Sequence, residues 1–418
     1  MKRSALIFLC IVILIGSIQA QNPSQWRGAE RNGSYNEEML LKKWPDNGPE
    51  KLWSILGIGE GYSSATVTEK IVFITGLVDT LEVMSAFDLE GNLKWKTAYG
   101  NGWIESFPGA RATPTYENGK VYIISGTGEI VCLNGENGEI LWKVDGYKKF
   151  EGICTMWGTN ESPLIVDDKI IYTAGGKMTT MVALNKHTGE TIWKSESLQD
   201  STAYVSPLLI ENGGRKIISS ILANTFFGID AENGELLWKY DYFSLKWRQD
   251  HWYSPIINCN TPIYNDGQIF ISKGYDHKAA MFALEEDGTG IELMWTDTIL
   301  DVHIGGMVQK DNYLYGANWI HNRDGNWCCL DWKTGELMYE EKWQNKGSII
   351  LADDLMYCYE EKDGHIALVE PTPTEFKVIS SFQVDEGKGP YWAHPVIHNG
   401  VLYIRHGEVL MAYDISQK

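Results

Sequence analysis

The sequence predicts an all-β fold, an eight-bladed β-propeller of four-stranded antiparallel blades, and three observations predict it. A glycine stands four residues before an aromatic residue in copy after copy. A strand–turn–strand phrase recurs upstream of each copy. The last unit lacks a fourth strand, and a segment near the chain start can supply one.

Taken in order, Lys2 and Arg3 precede an apolar run from Ala5 to Ile15, and GSIQAQ follows, with Ile18 and Ala20 suited to cleavage ahead of Gln21. Residues 1–20 therefore read as an export signal, and a periplasmic or extracellular location is expected. Cys10 lies too near the start for IFLC to serve as a lipid-attachment box. No other stretch approaches the roughly 18 apolar residues of a membrane span. Residues 21–49 form a leader expected to cross a propeller face. Its segment QWRGAERNGSY, residues 25–35, is expected to plug or rim the channel, with Trp26 buried and Arg27 paired.

Residues 50–418 are read as the propeller. Copies of the glycine–aromatic phrase end at Trp95, Trp142, Trp193, Trp238 and Tyr339, with glycines at Gly91, Gly138, Gly189, Gly234 and Gly335, and a looser copy reaches Trp295. Phrases such as TPTYENGKVYII and HPVIHNGVLYIR alternate with period two around a turn dipeptide, the pattern of an antiparallel hairpin. One unit is thus two hairpins, strands A to B and C to D. Innermost strands begin near Ala65, Thr113, Ser162, Ser206, Thr261, Gly305, Gly347 and His394, which makes eight units. The last ends after strand C, and EKLWSI, residues 50–55, carries Trp53 where its fourth strand needs an aromatic. Pairing the two ends removes the last open sheet edge. The polar residues closing strand C, Asp88, Asn134, Asn185, Asp230, Glu285, Asp331 and Asp414, are read as turn initiators.

Cleavage after Ala20 leaves 34 basic against 55 acidic residues, a net charge of −21, which repels phosphate backbones and makes nucleic acid an unsuitable partner. Six cysteines then remain, too few for a disulfide-built scaffold. Cys328 and Cys329 are adjacent on a strand, so their side chains point to opposite faces and are expected to be inert thiols.

The repeated Gly-x-x-x-Trp phrases and the eight-unit closure resemble the pyrroloquinoline-quinone-binding-like propeller repeat family, relatives of quinoprotein alcohol dehydrogenases, over essentially the whole mature chain. The resemblance implies that Trp53, Trp95, Trp142, Trp193, Trp238, Trp295 and Tyr339 dock against the following blade. It also implies pyrroloquinoline quinone (PQQ) with calcium as a cofactor pair, which the dehydrogenases hold through inserted loops under a vicinal disulfide. This chain has little room for such loops, and no calcium ligand set can be assigned from its sequence. A related propeller, the lipoprotein of the outer-membrane barrel-assembly machine, implies instead a docking surface for proteins.

In a repeat protein, residues that break the repeat are the functional candidates. The breaks fall in the D-to-A connections, which share one face and converge on the channel mouth, and which hold six tryptophans: Trp103, Trp157, Trp247, Trp252, Trp343 and Trp392. Arg111, Trp157, Glu161, Tyr204, His251, Tyr253, His303, Lys346, Trp392 and His394 are the candidate ligand-binding set, and His277, His321, Arg323 and Arg405 join from the B-to-C connections. Aromatics sealing the channel are the alternative. The histidines lack metal-site spacing, so no metal site is expected. Three functions remain open: a binding or scaffold module for a small molecule, glycan or protein; a small PQQ-dependent dehydrogenase with Glu161 or His303 as base; and a carbohydrate-binding propeller, for which only Glu161 and Glu105 offer mouth carboxylates.

Overall fold

A computed structural model describes residues 23–153, 156–245 and 257–417. Residues 1–20, read as an export signal, and the connection holding Trp247, His251, Trp252 and Tyr253 lie outside the described residues. Eight antiparallel four-stranded sheets follow one another around a ring. Blade 1 comprises Thr66–Val67, Val72–Val78, Leu81–Phe87 and Leu93–Asn101. Blade 8 takes Val396–His398, Val401–His406 and Val409–Asp414 from the end of the chain and Glu50–Leu56 from its beginning. That closing strand pairs antiparallel with Val409–Asp414, Glu50 opposite Asp414 and Leu56 opposite Val409. The eight-bladed architecture expected from the repeats is therefore present.

The turn between strands C and D shows how one local phrase builds most of the blades. Asp331 Oδ1 accepts from the backbone N–H groups of Lys333 (2.9 Å) and Thr334 (2.8 Å), and Asn185 Oδ1 does the same for His187 and Thr188. The glycine that ends the turn sits in the left-handed region, Gly234 at φ +81° and Gly335 at φ +72°. The C–D register shifts by a bulge in all eight blades, next to the aromatic in seven of them and next to Ser380 in blade 7, which kinks strand D.

The aromatic ring then meets the turn glycine of the following blade. Trp53 lies against Gly91, Trp142 against Gly189, Trp193 against Gly234 and Trp295 against Gly335. Indole N–H groups bond to the same turns: Trp53 to Leu89 O (2.8 Å), Trp95 to Gly135 O (3.1 Å) and Trp193 to Ala231 O (3.2 Å). Trp238 departs from this. Its ring lies over Gly228, its own cross-strand partner, and its Nε1 has no hydrogen-bond partner among the described residues. The reason is the looser turn of blade 5, whose Gly288 sits against Ile217 and Arg215 instead. Tyr339 packs with Phe376 and Cys358 between blades 6 and 7.

The core lies between blades. Tyr122, Ile130 and Cys132 of blade 2 pack with Ile170, Tyr172 and Val182 of blade 3, and comparable clusters fill the other junctions. The adjacent cysteines divide between two of them. Cys328 faces Met281 and Phe270 of blade 5, and Cys329 faces Cys358 and Ala367 of blade 7. Both thiols are free, and burial pushes Cys329 up to about 12 and Cys328 well above its ordinary value.

Contact at the turn glycines yields a measurable expectation. A Cβ at Gly234 would lie 2.6 Å from Cε3 of Trp193, in a backbone conformation that side chains disfavour. Gly234→Ala is expected to destabilise the fold by about 2–4 kcal/mol, combining strain with overpacking, seen as a lower urea midpoint at unchanged slope.

Candidate functional site: the channel and its mouth

Strand A is innermost, and outside blade 7 its channel-side edge has no neighbouring strand, so its carbonyls need other donors. Ser or Thr followed by Pro opens several of these strands. The hydroxyls link one blade to the next: Ser64 N donates to Thr113 Oγ1, Thr113 N to Ser162 Oγ, and Ser162 N to Ser206 Oγ, each at 3.0 Å. The carbonyls around the prolines remain turned inward, where the leader meets them.

The leader enters from the face of the A–B turns. Ser24 bridges to Tyr116 near the end of one inner strand, and Ser34–Tyr35 pairs parallel with Leu351–Ala352 at the end of another. Between these anchors, Arg27 and Arg31 point into the channel, 2% and 1% exposed. Arg31 donates to Pro207 O (2.8 Å), Ser162 O (3.0 Å) and Pro163 O, while its Nε donates to Gln25 Oε1. Arg27 donates to Met307 O (2.5 Å), Ile349 O (3.1 Å), Asn32 O (3.3 Å) and His394 Nδ1 (2.8 Å). Since the guanidinium is a donor only, His394 accepts at Nδ1 and carries its proton on Nε2, which donates to Ile304 O (3.1 Å). Burial and Arg27 hold His394 down near 3, so the ring is neutral. Burial lowers Arg27 to about 10 and Arg31 to about 9, and both remain charged at neutral pH.

The leader thus plugs the channel, with Arg27 paired as the sequence reading expects and Trp26 as the correction to it. Trp26 is only partly buried, its ring set edge-on against His394 (5.6 Å), because the channel axis is taken by the arginines. Arg27 pairs with carbonyls and a histidine, because strand A presents carbonyls there.

The candidate mouth residues scatter into separate structural roles. Glu161 is buried, and both carboxylate oxygens accept from Thr173 N (3.1 Å). Lys346 is buried in an ion pair with Glu361 (2.5 Å) and donates to His321 O (3.0 Å). His303 shares a 2.7 Å hydrogen bond with the Tyr275 hydroxyl, and burial and Lys346 depress it to about 3. Tyr204 is buried, its ring beside Trp157 (5.8 Å) and its hydroxyl accepting from Trp157 N. Arg111 donates to the carbonyls of Ser106, Phe107 and Gly109, fixing the loop that carries it. Trp392 lies between Tyr62 (5.0 Å) and Phe107 (5.4 Å). Arg405 is buried, donating to Ser63 Oγ, Thr75 O, Gly59 O and Gly407 O. His277 is buried edge-on against Tyr242 (4.5 Å), whereas His321 and Arg323 are exposed.

Two buried acids of this face escaped sequence reading. Glu82 accepts from Tyr99 OH (2.5 Å) and Gly126 N (3.0 Å), and Asp301 from Asp276 N and Trp319 N (3.2 Å each). Burial raises them to about 7 and about 8. Neither lies in a motif, because partners reach them from sequence-distant turns.

A quinone with calcium does not fit these residues. Among the described residues no three His, Cys, Asp or Glu side chains converge as a metal-binding group. The adjacent cysteines face opposite blade junctions, and arginines fill the channel axis.

A family model described as outer membrane protein assembly factor BamB matches residues 80–338, more than half of the chain. An uncharacterised protein of Rickettsia conorii is 24% identical over 219 residues, 50% of this chain and 49% of that protein. BamB of Alteromonas naphthalenivorans is 32% identical over 114 residues, 25% of this chain and 26% of its own. The chain spans about half the length, or less, of these curated relatives. Among solved structures, BamB from Moraxella catarrhalis has a TM-score of 0.59 at 15% identity, covering 87% of this chain and 97% of that one. Quinohemoprotein alcohol dehydrogenase from Comamonas testosteroni has a TM-score of 0.67 at 11% identity, covering 95% and 81%. Likeness at such identities shows the fold alone.

The buried carboxyls make stability depend on pH. Burial lifts Glu161 from 4.5 to about 8 despite Thr173 and Arg31. Between those values the unfolded chain has lost a proton that the folded protein keeps, so this group lowers stability as pH rises. Glu161→Gln is expected to flatten that decline by up to about 1.4 kcal/mol per pH unit, measured as urea midpoints across the interval; Glu82 and Asp301 retain their share.

Proposed function

This chain belongs to the outer membrane protein assembly factor BamB family, and from that premise we propose that it is an exported scaffold holding a protein partner on the face of its channel mouth. The observation that carries the reading is the channel filled from within: Arg27 and Arg31 occupy the axis and satisfy its carbonyls. A ligand on the axis would have to displace two buried charges and leave those carbonyls unpartnered, a cost of several kcal/mol. Binding is thereby directed outward, to loops of the mouth rim. The export signal read in residues 1–20 supports action in the cell envelope.

The quinoprotein reading draws on the shared fold and on no arrangement of side chains. Titrating residues 21–418 with PQQ and Ca²⁺ while following tryptophan fluorescence separates the two readings. No saturable quenching up to high micromolar quinone is expected. Saturable quenching accompanied by dye-linked alcohol oxidation would replace the scaffold reading. For the scaffold itself, a photocrosslinking residue at Arg323 or Ile104 on the mouth face should give discrete protein adducts in the source organism, and one at Lys333 on the opposite face should not. Adducts at neither mouth position would sink the proposal.

A further inference from the structure

We propose that the partner docks on a crescent of apolar side chains across blades 8, 1, 2 and 3 of the mouth face, and that the docking element is a cationic amphipathic segment. The inference rests on the scaffold reading and adds where the partner sits and what its surface must be.

The crescent starts at blade 8 with Trp392, flanked by Tyr62 and Phe107. It continues through Ile104 to Met156 and Ile153. Phe107 is 54% exposed, Met156 58%, Ile104 49% and Ile153 43%. The segments are tied together rather than loose. Trp103 Nε1 donates to Ser106 Oγ (3.2 Å), Ser106 Oγ donates to Met156 O (3.1 Å), and Ile153 N donates to Ala174 O (3.2 Å). Aromatic and methionine side chains grouped in this way have the composition of an interface centre.

Phe107 supplies the second observation. Its backbone lies in the left-handed region at φ 45°, which a bulky residue adopts only at a cost. Arg111 holds it there, its guanidinium donating to the carbonyls of Ser106 (3.0 Å), Phe107 (2.7 Å) and Gly109 (3.2 Å). The ring itself lies half in solvent, against Trp392. Strain retained to display a ring beside Trp392 is preorganisation for a contact.

Charge decides among occupants. Among the exposed charges beside the crescent in sequence, Glu60, Glu105 and Glu151 outnumber Lys148 and Lys149. The net charge of −21 on residues 21–418 has the same sign. A second copy brings the same charge and is repelled, whereas a basic segment is steered in.

The test uses a fluorescein-labelled amphipathic peptide of leucine and lysine, its leucine–glutamate counterpart, and residues 21–418. Anisotropy should show saturable binding of the lysine peptide, weakened about tenfold or more by Phe107→Ala with Met156→Ala and by added salt. Phe107→Gly separates binding from folding: glycine accepts the left-handed backbone, so Tm should hold or rise while peptide affinity falls. Equal affinity of wild type and the double variant overturns the crescent. Equal binding of the glutamate peptide overturns the cationic assignment. Concentration-dependent dimerisation that the double variant abolishes would make a second copy the occupant instead. Adducts that persist at Arg323 in the double variant refute the crescent but leave the scaffold reading standing.

Discussion

Everything in this molecule depends on closing the ring. A four-stranded blade is apolar on both faces, as Cys328 and Cys329 illustrate by pointing into two different junctions. Neither face is buried until a blade stands on each side, so an open array would leave one at each end in water. The pairing of Glu50–Leu56 with Val409–Asp414 removes both ends at once, and the leader reinforces it. Leu41 N donates to Ile415 O, and Trp44 is buried beside Tyr357 and Phe382 of blade 7. The first and last residues of the propeller are thereby held together from two directions.

Closure creates its own problem at the axis. Eight inner strands cannot pair with one another across the channel, so they present unbonded carbonyls to a narrow space. Hydroxyls of the inner strands solve part of this by donating sideways to carbonyls of a neighbouring blade, Thr66 Oγ1 to Pro114 O, Thr115 Oγ1 to Pro163 O and Thr261 Oγ1 to Ser206 O. Two guanidinium groups solve more, because each offers five donors in a plane and no acceptor that would itself need a partner. Desolvating two cations is costly, and several carbonyl bonds to each offset that cost. A propeller built this way is a closed ring with a filled centre.

Sequence reading and structure agree where a residue's role is repeated. The turn acids accept from the N–H groups they precede because a side chain two or three residues away has little freedom to do otherwise. The two readings part at residues that occur once. Glu161, Lys346 and His394 are read as mouth residues from their position ahead of inner strands. Their burial followed from partners that no local pattern announces: Thr173 for Glu161, Glu361 for Lys346, Arg27 across the channel for His394. Trp238 shows the same limit within the repeat, since its neighbour's looser turn leaves no glycine for the ring to meet.

Legible in the sequence were the number of blades, the strand order within each and the strand that closes the ring. All of these rest on period, spacing and turn chemistry, which act over a few residues and recur often enough to be read. Tertiary structure alone decided which polar side chains are free. Whether an arginine fills a channel or an aromatic ring stays in water depends on what stands opposite, and in a ring the residue opposite can be more than 300 positions away, as Arg27 and His394 are.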